Sequence, residues 1–333
     1  MATITLLFRL TVISVLFLLP AATRAEAGSL AIFSPPDHAC VEGKLLDLVL
    51  TTGGLKPDVV SITVNGRHLP PILNPGKAQT LCREGLQLLD GINTISVVLL
   101  DDGRPLASAA INVFRRSNLS WRYNQPPPGF TAYSFHTPDN ENKCRRCHLI
   151  DLGSIATRPP SPEKSPCFLC HKQLLQGKFA HGPASVWACL MCHAPESPGA
   201  RFQTARPSKV VCAGCHGERS DPAYPHGPVA MGMCTACHDP HVADHPFFLR
   251  METTDLCSSC HEDTANRPHV ISYFSSGKGH PVYLKKNPFQ PGQEFTCASC
   301  HQPHGGAFPF LLKKEKTSMK TYCTSCHEFE HGR

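Results

Sequence analysis

The chain has 333 residues, of which 18 are Cys, 19 are His, 31 are Pro and 24 are Gly, while only 17% are charged and 8% are aromatic. This composition excludes an ordinary cytosolic enzyme, and so many cysteines disfavour a disordered chain because they imply covalent or metal crosslinks. The formal net charge of +6 is a basic balance of the kind that usually indicates nucleic acid or anionic surfaces as partners.

Residues 1–27 have the pattern of a secretory signal peptide. Arg9 precedes an apolar stretch that runs from Leu10 to Pro20, and small residues then lead to the A-x-A cleavage pattern Ala25-Glu26-Ala27. An uncleaved anchor is disfavoured because the stretch is short for a membrane span, and no comparable apolar run follows, so we do not expect an integral membrane protein. We expect export to the periplasm or the cell exterior, where thiols can be oxidised and cofactors attached covalently.

Residues 28–116 predict a small β-sandwich. Val60, Ile62 and Val64 alternate with polar residues before the turn signal Asn65-Gly66, and Asp102-Gly103 separates two further β-prone runs. Six or seven short strands in about 90 residues favour an immunoglobulin-like sandwich. The region is similar to the bacterial Ig-like modules of exported proteins.

Two cysteines, Cys40 and Cys82, lie in this β-region. In an exported protein they predict a disulfide that stabilises the fold by about 4 kcal/mol, in preference to two free thiols. The following segment, 117–135, contains three consecutive prolines and predicts a semi-rigid linker.

Eight units of the form Cys-x-x-Cys-His follow the linker. In a helical turn, positions i, i+3 and i+4 share one face, so two thiols can add to the two vinyl groups of one porphyrin while the histidine ligates its iron. Zinc ribbons, redox dithiols and disulfide lattices also use Cys-x-x-Cys, but none of them needs a histidine after every second cysteine. The sequence therefore predicts eight c-type haems.

The cysteines that we expect to hold haem covalently are Cys144, Cys147, Cys167, Cys170, Cys189, Cys192, Cys212, Cys215, Cys234, Cys237, Cys257, Cys260, Cys297, Cys300, Cys323 and Cys326. The histidines that close the units, and that we expect to be the proximal iron ligands, are His148, His171, His193, His216, His238, His261, His301 and His327.

The units also repeat on a longer period. The first motifs of the first three repeats are 45 residues apart, and so are the upstream histidines His136, His181 and His226. Each repeat therefore contains one upstream histidine and two motifs. The predicted haem domain, 136–333, divides into two-haem repeats at 136–180, 181–225, 226–270 and 280–333.

This arrangement resembles the doubled CXXCH-motif family of multihaem cytochromes c, in which an upstream histidine precedes a pair of motifs and the first motif often continues as Cys-His-x-Pro-His. The third and fourth repeats match that continuation, with CTACHDPH ending at His241 and CASCHQPH ending at His304. The first two repeats depart from it, because Asp151 and Glu196 stand where the second histidine would fall. The resemblance covers residues 136–333.

Distal iron ligands follow from this resemblance, from the period and from a count of the remaining histidines, which just suffices for bis-histidine ligation. The distal candidates are His136, His181, His226, His241, His269, His280, His304 and His331. His245 is an alternative to one of them. Residues 144–333 supply about 24 residues per haem, too few to bury an apolar core, so we expect a loop-rich domain with short α-helices organised by the haems.

The predicted function is electron transfer by an exported octahaem cytochrome between redox protein partners, rather than catalysis. About sixteen haem propionate charges would offset the basic balance, so no nucleic-acid partner is expected. The alternative is a multihaem reductase of nitrite, hydroxylamine or a sulfur oxyanion with one open haem, because an iron with a single protein ligand can bind substrate. A third hypothesis is a self-associating filament subunit or surface conduit.

Overall fold

The structure of the chain is a computed structural model. It describes residues 28–76, 79–117, 119–145, 148, 157–197, 200–204, 207–217, 222–265, 282, 286–287, 290–314, 324 and 327. The predicted signal peptide lies outside these residues. Among the described residues, no helix is both long enough and apolar enough to cross a bilayer.

The N-terminal region is built from β-strands in two sheets. The strands are β1 (Ala31–Ser34), β2 (Ala39–Val41), β3 (Leu45–Thr51), β4 (Val59–Val64), β5 (Arg67–His68), β6 (Ile72–Leu73), β7 (Thr80–Gln87), β8 (Gly91–Asp101), β9 (Arg104–Arg115) and β10 (Thr131–Ala132). A three-stranded antiparallel sheet has the order β1-β3-β7, and a seven-stranded sheet has the order β10-β2-β9-β8-β4-β5 with β6 also paired to β4.

Alternating burial in β4 and β8 confirms the sequence pattern. In β4, the side chains of Val60, Ile62 and Val64 are buried while the residues between them are half-buried, as expected for a strand with one face on a core. The two predicted hairpins also form, around Asn65-Gly66 between β4 and β5 and around Asp102-Gly103 between β8 and β9. Both residues of each turn have positive φ, which glycine adopts without steric cost and asparagine or aspartate tolerates.

One cluster of buried apolar side chains is shared by the two sheets. Its fully buried members include Leu48 and Leu50 from the three-stranded sheet and Val60, Leu99 and Val113 from the seven-stranded sheet. Burying such a side chain stabilises the folded state by about 1.5–3 kcal/mol, so the N-terminal region has a core of its own. The Ig-like assignment of this region stays a prediction.

The segment predicted as a linker takes part in the fold. Its residues Thr131–Ala132 form β10, which pairs in parallel with β2 and so extends the edge of the seven-stranded sheet. The Ser34 hydroxyl and the Tyr133 hydroxyl form a hydrogen bond of 2.9 Å that fastens the end of the segment to β1. The chain therefore enters the first repeat from a fixed point on the sheet.

The predicted disulfide is not formed, because Cys40 and Cys82 both have free thiols. Cys40 lies in β2 of the seven-stranded sheet, whereas Cys82 lies in β7 of the other sheet. Burial raises the pKa of Cys82 to about 12, with further contributions from Asp47 and Cys170. Cys82 and Cys170 of the second Cys-x-x-Cys-His motif line the same cavity.

Short helices predominate in the motif region. The α-helices are α1 (Pro138–Cys144), α2 (Phe168–His171), α3 (Gly182–Ser185), α4 (Lys209–His216), α5 (Gly227–Ala230), α6 (Cys234–Cys237), α7 (Thr253–Ser258), α8 (Glu262–Ala265) and α9 (Cys297–Cys300). The 3-10 helices in the described part of the chain are Trp121–Tyr123, Pro162–Lys164, Lys172–Leu175, Cys189–Met191, Pro246–Phe248 and Pro309–Leu311. This confirms the expectation of short helices joined by loops.

Successive repeats interlock through short β-contacts. β11 (Phe179–Ala180), just before His181, pairs with β12 (Val242–Ala243), just after His241 in the next repeat. The equivalent residue 45 positions later, Tyr224, makes the matching bridge to Gly306 in the fourth repeat. The start of one repeat is therefore tied to the middle of the following one.

Candidate haem-binding site

The Cys-x-x-Cys-His units form the helical turns that their spacing predicts. The backbone N–H of the closing histidine donates to the carbonyl of the first cysteine in His148, His171, His193, His238, His261 and His301, at 2.9–3.1 Å. His216 ends helix α4, which contains its motif. These i to i+4 bonds bring the two thiols and the imidazole of a motif to one side of a single turn.

Five proximal histidines each lie opposite one distal candidate. The pairs and their ring-centroid distances are His136–His171 at 6.1 Å, His181–His216 at 6.0 Å, His193–His241 at 6.0 Å, His226–His261 at 6.2 Å and His238–His304 at 5.9 Å. These rings are too far apart to touch each other. The near-constant separation across five independent pairs indicates a common occupant.

A metal ion held by two imidazoles fits this separation. An imidazole nitrogen binds a first-row transition metal at about 2.0–2.1 Å, so two rings on opposite sides of one iron have centroids about 6 Å apart. Among the described residues, no three Cys, His, Asp or Glu side chains converge as metal ligands would. The pairs therefore fit two axial ligands of a haem iron, with the porphyrin held by the cysteines of the proximal motif.

The upstream histidine of a repeat pairs with the second motif of the same repeat. This holds for His136 with His171, and again for His181 with His216. The third repeat follows the same rule, with His226 paired to His261. The separation along the chain is 35 residues each time, so these pairs are internal to one repeat.

The histidine of Cys-His-x-Pro-His pairs with the first motif of the preceding repeat. His241 of the third repeat pairs with His193 of the second, and His304 of the fourth repeat pairs with His238 of the third. The interlocking β-contacts described above make this possible, because they hold the loop after one first motif against the start of the preceding repeat. Consecutive repeats therefore each contribute one histidine to the same pair.

A backbone carbonyl fixes the ring of each first-motif histidine in the second, third and fourth repeats. Nδ1 of His193, His238 and His301 each donates at 2.7 Å to a carbonyl oxygen nine residues later. The accepting residues are Phe202, Phe247 and Phe310. An N–H bond of this kind sets the tautomer and leaves Nε2 for the metal.

All three accepting phenylalanines have a left-handed backbone, with φ between 57° and 61°. A bulky residue rarely adopts this conformation, and such strain is found where a functional geometry requires it. Sequence reasoning missed this feature. The signal was a phenylalanine nine positions after the first-motif histidine in three repeats, with Thr157 in that place in the first.

The distal histidines are oriented in the same way by acceptors for Nδ1–H. His181 donates to the Pro240 carbonyl at 3.1 Å, and His226 donates to the Pro303 carbonyl at 2.9 Å. These two prolines are the ones in Cys-His-x-Pro-His. The motif proline thus orients the upstream histidine of the preceding repeat, while the motif histidine lies opposite a proximal histidine.

His136 has a carboxylate as its acceptor instead. Nδ1 of His136 is 3.2 Å from Oε1 of Glu141, whose side chain is only 3% exposed, and Nη1 of Arg201 donates to the other oxygen at 3.1 Å. Burial lowers the pKa of His136, and burial lowers the pKa of His241 to about 4, although Asp239 acts in the opposite direction. Both rings are therefore held in the neutral form that binds a metal.

Neighbouring thiols connect the second motif of one repeat to the first motif of the next. These contacts join Cys167 to Cys189, Cys212 to Cys234 and Cys257 to Cys297. The hydrogen bond between the two thiols lowers the pKa of Cys167 to about 6 and raises the pKa of Cys189. A thiol that is linked to haem as a thioether does not titrate. These contacts therefore matter because they show which motifs are adjacent in space.

Within each of the first three repeats, a cysteine of the first motif also lies near a cysteine of the second. These pairs are Cys144 with Cys170, Cys192 with Cys215 and Cys237 with Cys260. Burial raises the pKa of Cys192, for example, and the Cys215 thiol adds to the rise. Together, the two kinds of contact order the first seven motifs in space as they are ordered in sequence.

A cavity of about 2680 Å³ is lined by the cysteines and histidines of the first four motifs. A pocket for one small ligand measures about 300–1,000 Å³, so this cavity has room for several. The face of β3 and β7 forms one wall, where Lys172 Nζ of the second motif region is 3.0 Å from Glu84 Oε2 and Gln173 packs on Gly85. The N-terminal region is therefore a wall of the haem cavity.

Some predicted residues are not brought into pairs. His245 lines the cavity, but its Nδ1 is 3.4 Å from Glu252 Oε1. The His148 ring has no imidazole opposite it in the described part of the chain. Six predicted site residues lie outside the described residues, namely Cys147, Cys323, Cys326, His269, His280 and His331.

A family model describes the repeats. Residues 181–221, 226–266 and 287–332 match the model of the doubled CXXCH motif. The paired motifs indicate a multihaem c-type cytochrome. The matches begin at His181 and His226 in two of the three cases, which are the upstream histidines found opposite a proximal histidine.

Solved structures resemble parts of the chain. A fibronectin(III)-like module of CbhA from Clostridium thermocellum is 19% identical, with 26% of this chain and 95% of that chain covered and a TM-score of 0.22. A lytic polysaccharide monooxygenase from Jonesia denitrificans is 15% identical over 24% of this chain and 58% of its own, with a TM-score of 0.21. Beta-glucuronidase 3 from Bacteroides uniformis is 18% identical over 27% of this chain and 12% of its own, with a TM-score of 0.21. No curated protein matched the chain significantly.

Proposed function

We propose that this chain is an exported octahaem c-type cytochrome that carries electrons along a row of bis-histidine haems between redox protein partners. The observation that carries the proposal is the set of five histidine pairs, each 5.9–6.2 Å between ring centroids. Haem iron with two protein ligands exchanges electrons readily and has no site for substrate. The eight motifs supply the haem count, and the N-terminal pattern of residues 1–27 supports export.

The order of the motifs supports a conduit. Each of the first six motifs has a cysteine near one in the next motif, so haems attached to the first seven motifs would form an unbranched row. An electron entering at one end would have a single route to the other. The N-terminal β-region, proposed here to be Ig-like, forms one wall of the cavity at the first four motifs, and partner proteins or further copies of the chain would exchange electrons with haems elsewhere in the row.

The test combines a count of haems with a count of spin states. We expect the intact mass of the mature protein to correspond to eight haems, and electron paramagnetic resonance of the oxidised protein to show predominantly low-spin iron. A stepwise potentiometric titration should consume about eight electrons per chain, one for each iron. A colourless mature protein would contradict the proposal.

The reductase is the second candidate, and one observation favours it. The described part of the structure places no imidazole opposite His148, which is the arrangement of a haem with one protein ligand. Reduction of nitrite or hydroxylamine by the protein, with a chemical dye as electron donor, should be measured beside the spin-state count. Turnover above that of free haem c would favour the reductase over a carrier.

A further inference from the structure

The two ligation rules relate the sixth ligand of a haem to the place of its motif in the repeat, and they leave only the first motif of the fourth repeat unassigned, because that motif would need a fifth repeat. The upstream histidine serves the second motif of its own repeat, and the residue seven positions after a first cysteine serves the first motif of the preceding repeat. That residue is His241 in the third repeat and His304 in the fourth. In the second repeat it is Glu196, and in the first it is Asp151.

These two carboxylates are not equivalent under the rules. Asp151 belongs to the first repeat. Because no repeat precedes that one, the rule assigns Asp151 to no haem. Glu196 belongs to the second repeat, so it stands where the first motif of the first repeat, Cys144 to His148, should find its distal histidine. We infer that the iron of the Cys144–His148 haem has an exchangeable sixth position that takes a small inorganic ligand. This inference rests on the proposed function.

Contacts around the Glu196 loop agree with this assignment. Arg201 N donates to the His136 carbonyl at 2.9 Å, and Arg201 Nη1 donates to Glu141 Oε2 at 3.1 Å. Glu141 lies in α1, which ends at Cys144. The loop that carries Glu196 is therefore fastened to the helix that leads into the first motif, as the rule requires.

Within the described residues, no backbone carbonyl accepts a hydrogen bond from the His148 ring as one does from the first-motif histidine rings of the other three repeats. The residue nine positions after His148 is Thr157, where the other three repeats have a phenylalanine with left-handed φ. In the described residues, the His148 ring makes no hydrogen bond, and the side chain is exposed. An imidazole without this second bond is a weaker donor to iron.

The ligand class follows from the space and the chemistry. In the second and third repeats, the equivalent position is filled by one imidazole ring, so a ligand here is no larger than that ring. A carboxylate suits hard metal ions better than it suits haem iron, so Glu196 would yield to a stronger donor. Cyanide for ferric iron and carbon monoxide for ferrous iron are probes of this size.

The test is the number of carbon monoxide molecules bound per chain by the reduced holoprotein, read from the optical difference spectrum. Glu196→His should lower this number by one, because the new imidazole fills the position. Asp151→His makes the same change at the position that serves no haem, and should leave the number unchanged. His241→Ala, which frees the His193 iron, should raise it by one and calibrates the signal.

Two further variants test the inference if Glu196→His does not fold. Glu196→Ala should retain the carbon monoxide binding of the natural chain and its cyanide-sensitive high-spin ferric signal. His245→Ala should leave the number of bound molecules unchanged, and a rise would show that His245 is the missing ligand and overturn the inference. A full haem count with no bound carbon monoxide would overturn this inference alone, whereas absence of haem would overturn the proposed function.

Discussion

The β-region and the motif repeats bury apolar surface in different ways. In the β-region, side chains such as Leu48 and Leu99 are fully buried between two sheets. In the repeats, most helices are a single turn long, and a cavity of about 2680 Å³ lies among the motifs. The comparison teaches that one region carries its core in its own side chains, whereas the other depends on the cofactors that it attaches.

The largest expected effect is the loss of the repeats when haem is withheld. Without haem attachment, we expect residues 136–333 to unfold because their helices are too short to be stable alone, while residues 28–116 keep their structure. Limited proteolysis with mass spectrometry would then leave a protected N-terminal fragment. Equal protection of both regions in the apoprotein would contradict the comparison.

Removing one distal ligand should affect one haem and leave the β-region intact. His226→Ala takes away the imidazole opposite His261, so one iron should change from low spin to high spin in the optical spectrum. His245→Ala is the matched control, since His245 is near Glu252 rather than opposite a proximal histidine. If His226→Ala leaves the spectrum unchanged, the pairing of His226 with His261 is wrong.

Truncating the core of the β-region should have the converse effect. Leu99→Ala removes a fully buried side chain and should lower the free energy of unfolding of this region by about 2–5 kcal/mol. Leu106→Ala makes the same change at a side chain that is 40% exposed, and should cost well under half as much. Denaturation followed by far-ultraviolet circular dichroism measures both, and the haem spectrum should stay low spin at low denaturant in each variant.

The smallest expected effect is a shift in the potential of one haem. Glu141→Gln replaces the buried carboxylate that accepts from His136 Nδ1, so the imidazole becomes a poorer donor and the ferrous state gains stability. We expect the potential of the His136–His171 haem to rise by about 60 mV, which is a tenfold change for a one-electron couple. The exposed Asp139, two residues before Glu141 in α1, provides the control Asp139→Asn. A potentiometric titration that gives equal shifts for both would assign the effect to charge alone.

Much of the fold was predictable where the signal is local. The alternation of Val60, Ile62 and Val64 and the turns at Asn65-Gly66 and Asp102-Gly103 predicted strands and hairpins because strand period and turn conformation depend on adjacent residues. The disulfide between Cys40 and Cys82 was not formed, since strand order decides which cysteines meet. The prediction of a linker at 117–135 was wrong in part for a similar reason, because β10 forms only by pairing with the edge of β2.

The candidate site was also predictable only in part. A count of histidines predicted a full supply of distal ligands, and His136, His181, His226, His241 and His304 were all found opposite a proximal histidine. The count did not predict which haem each one serves. The count also gave no reason to treat Asp151 and Glu196 differently. Only Glu196 lies in a repeat that follows another repeat, so only Glu196 stands at a position that should supply a distal ligand.

The sequence alone predicted the attachment points, the proximal ligands and the two-motif period, because the spacing of two thiols and an imidazole on one helical turn is a property of five adjacent residues. Only the tertiary structure decided the distal pairing. His238 and His304 are 66 residues apart and meet because the loop after one motif packs on the start of the preceding repeat. Contacts of that range depend on how whole repeats pack, and no short pattern encodes them.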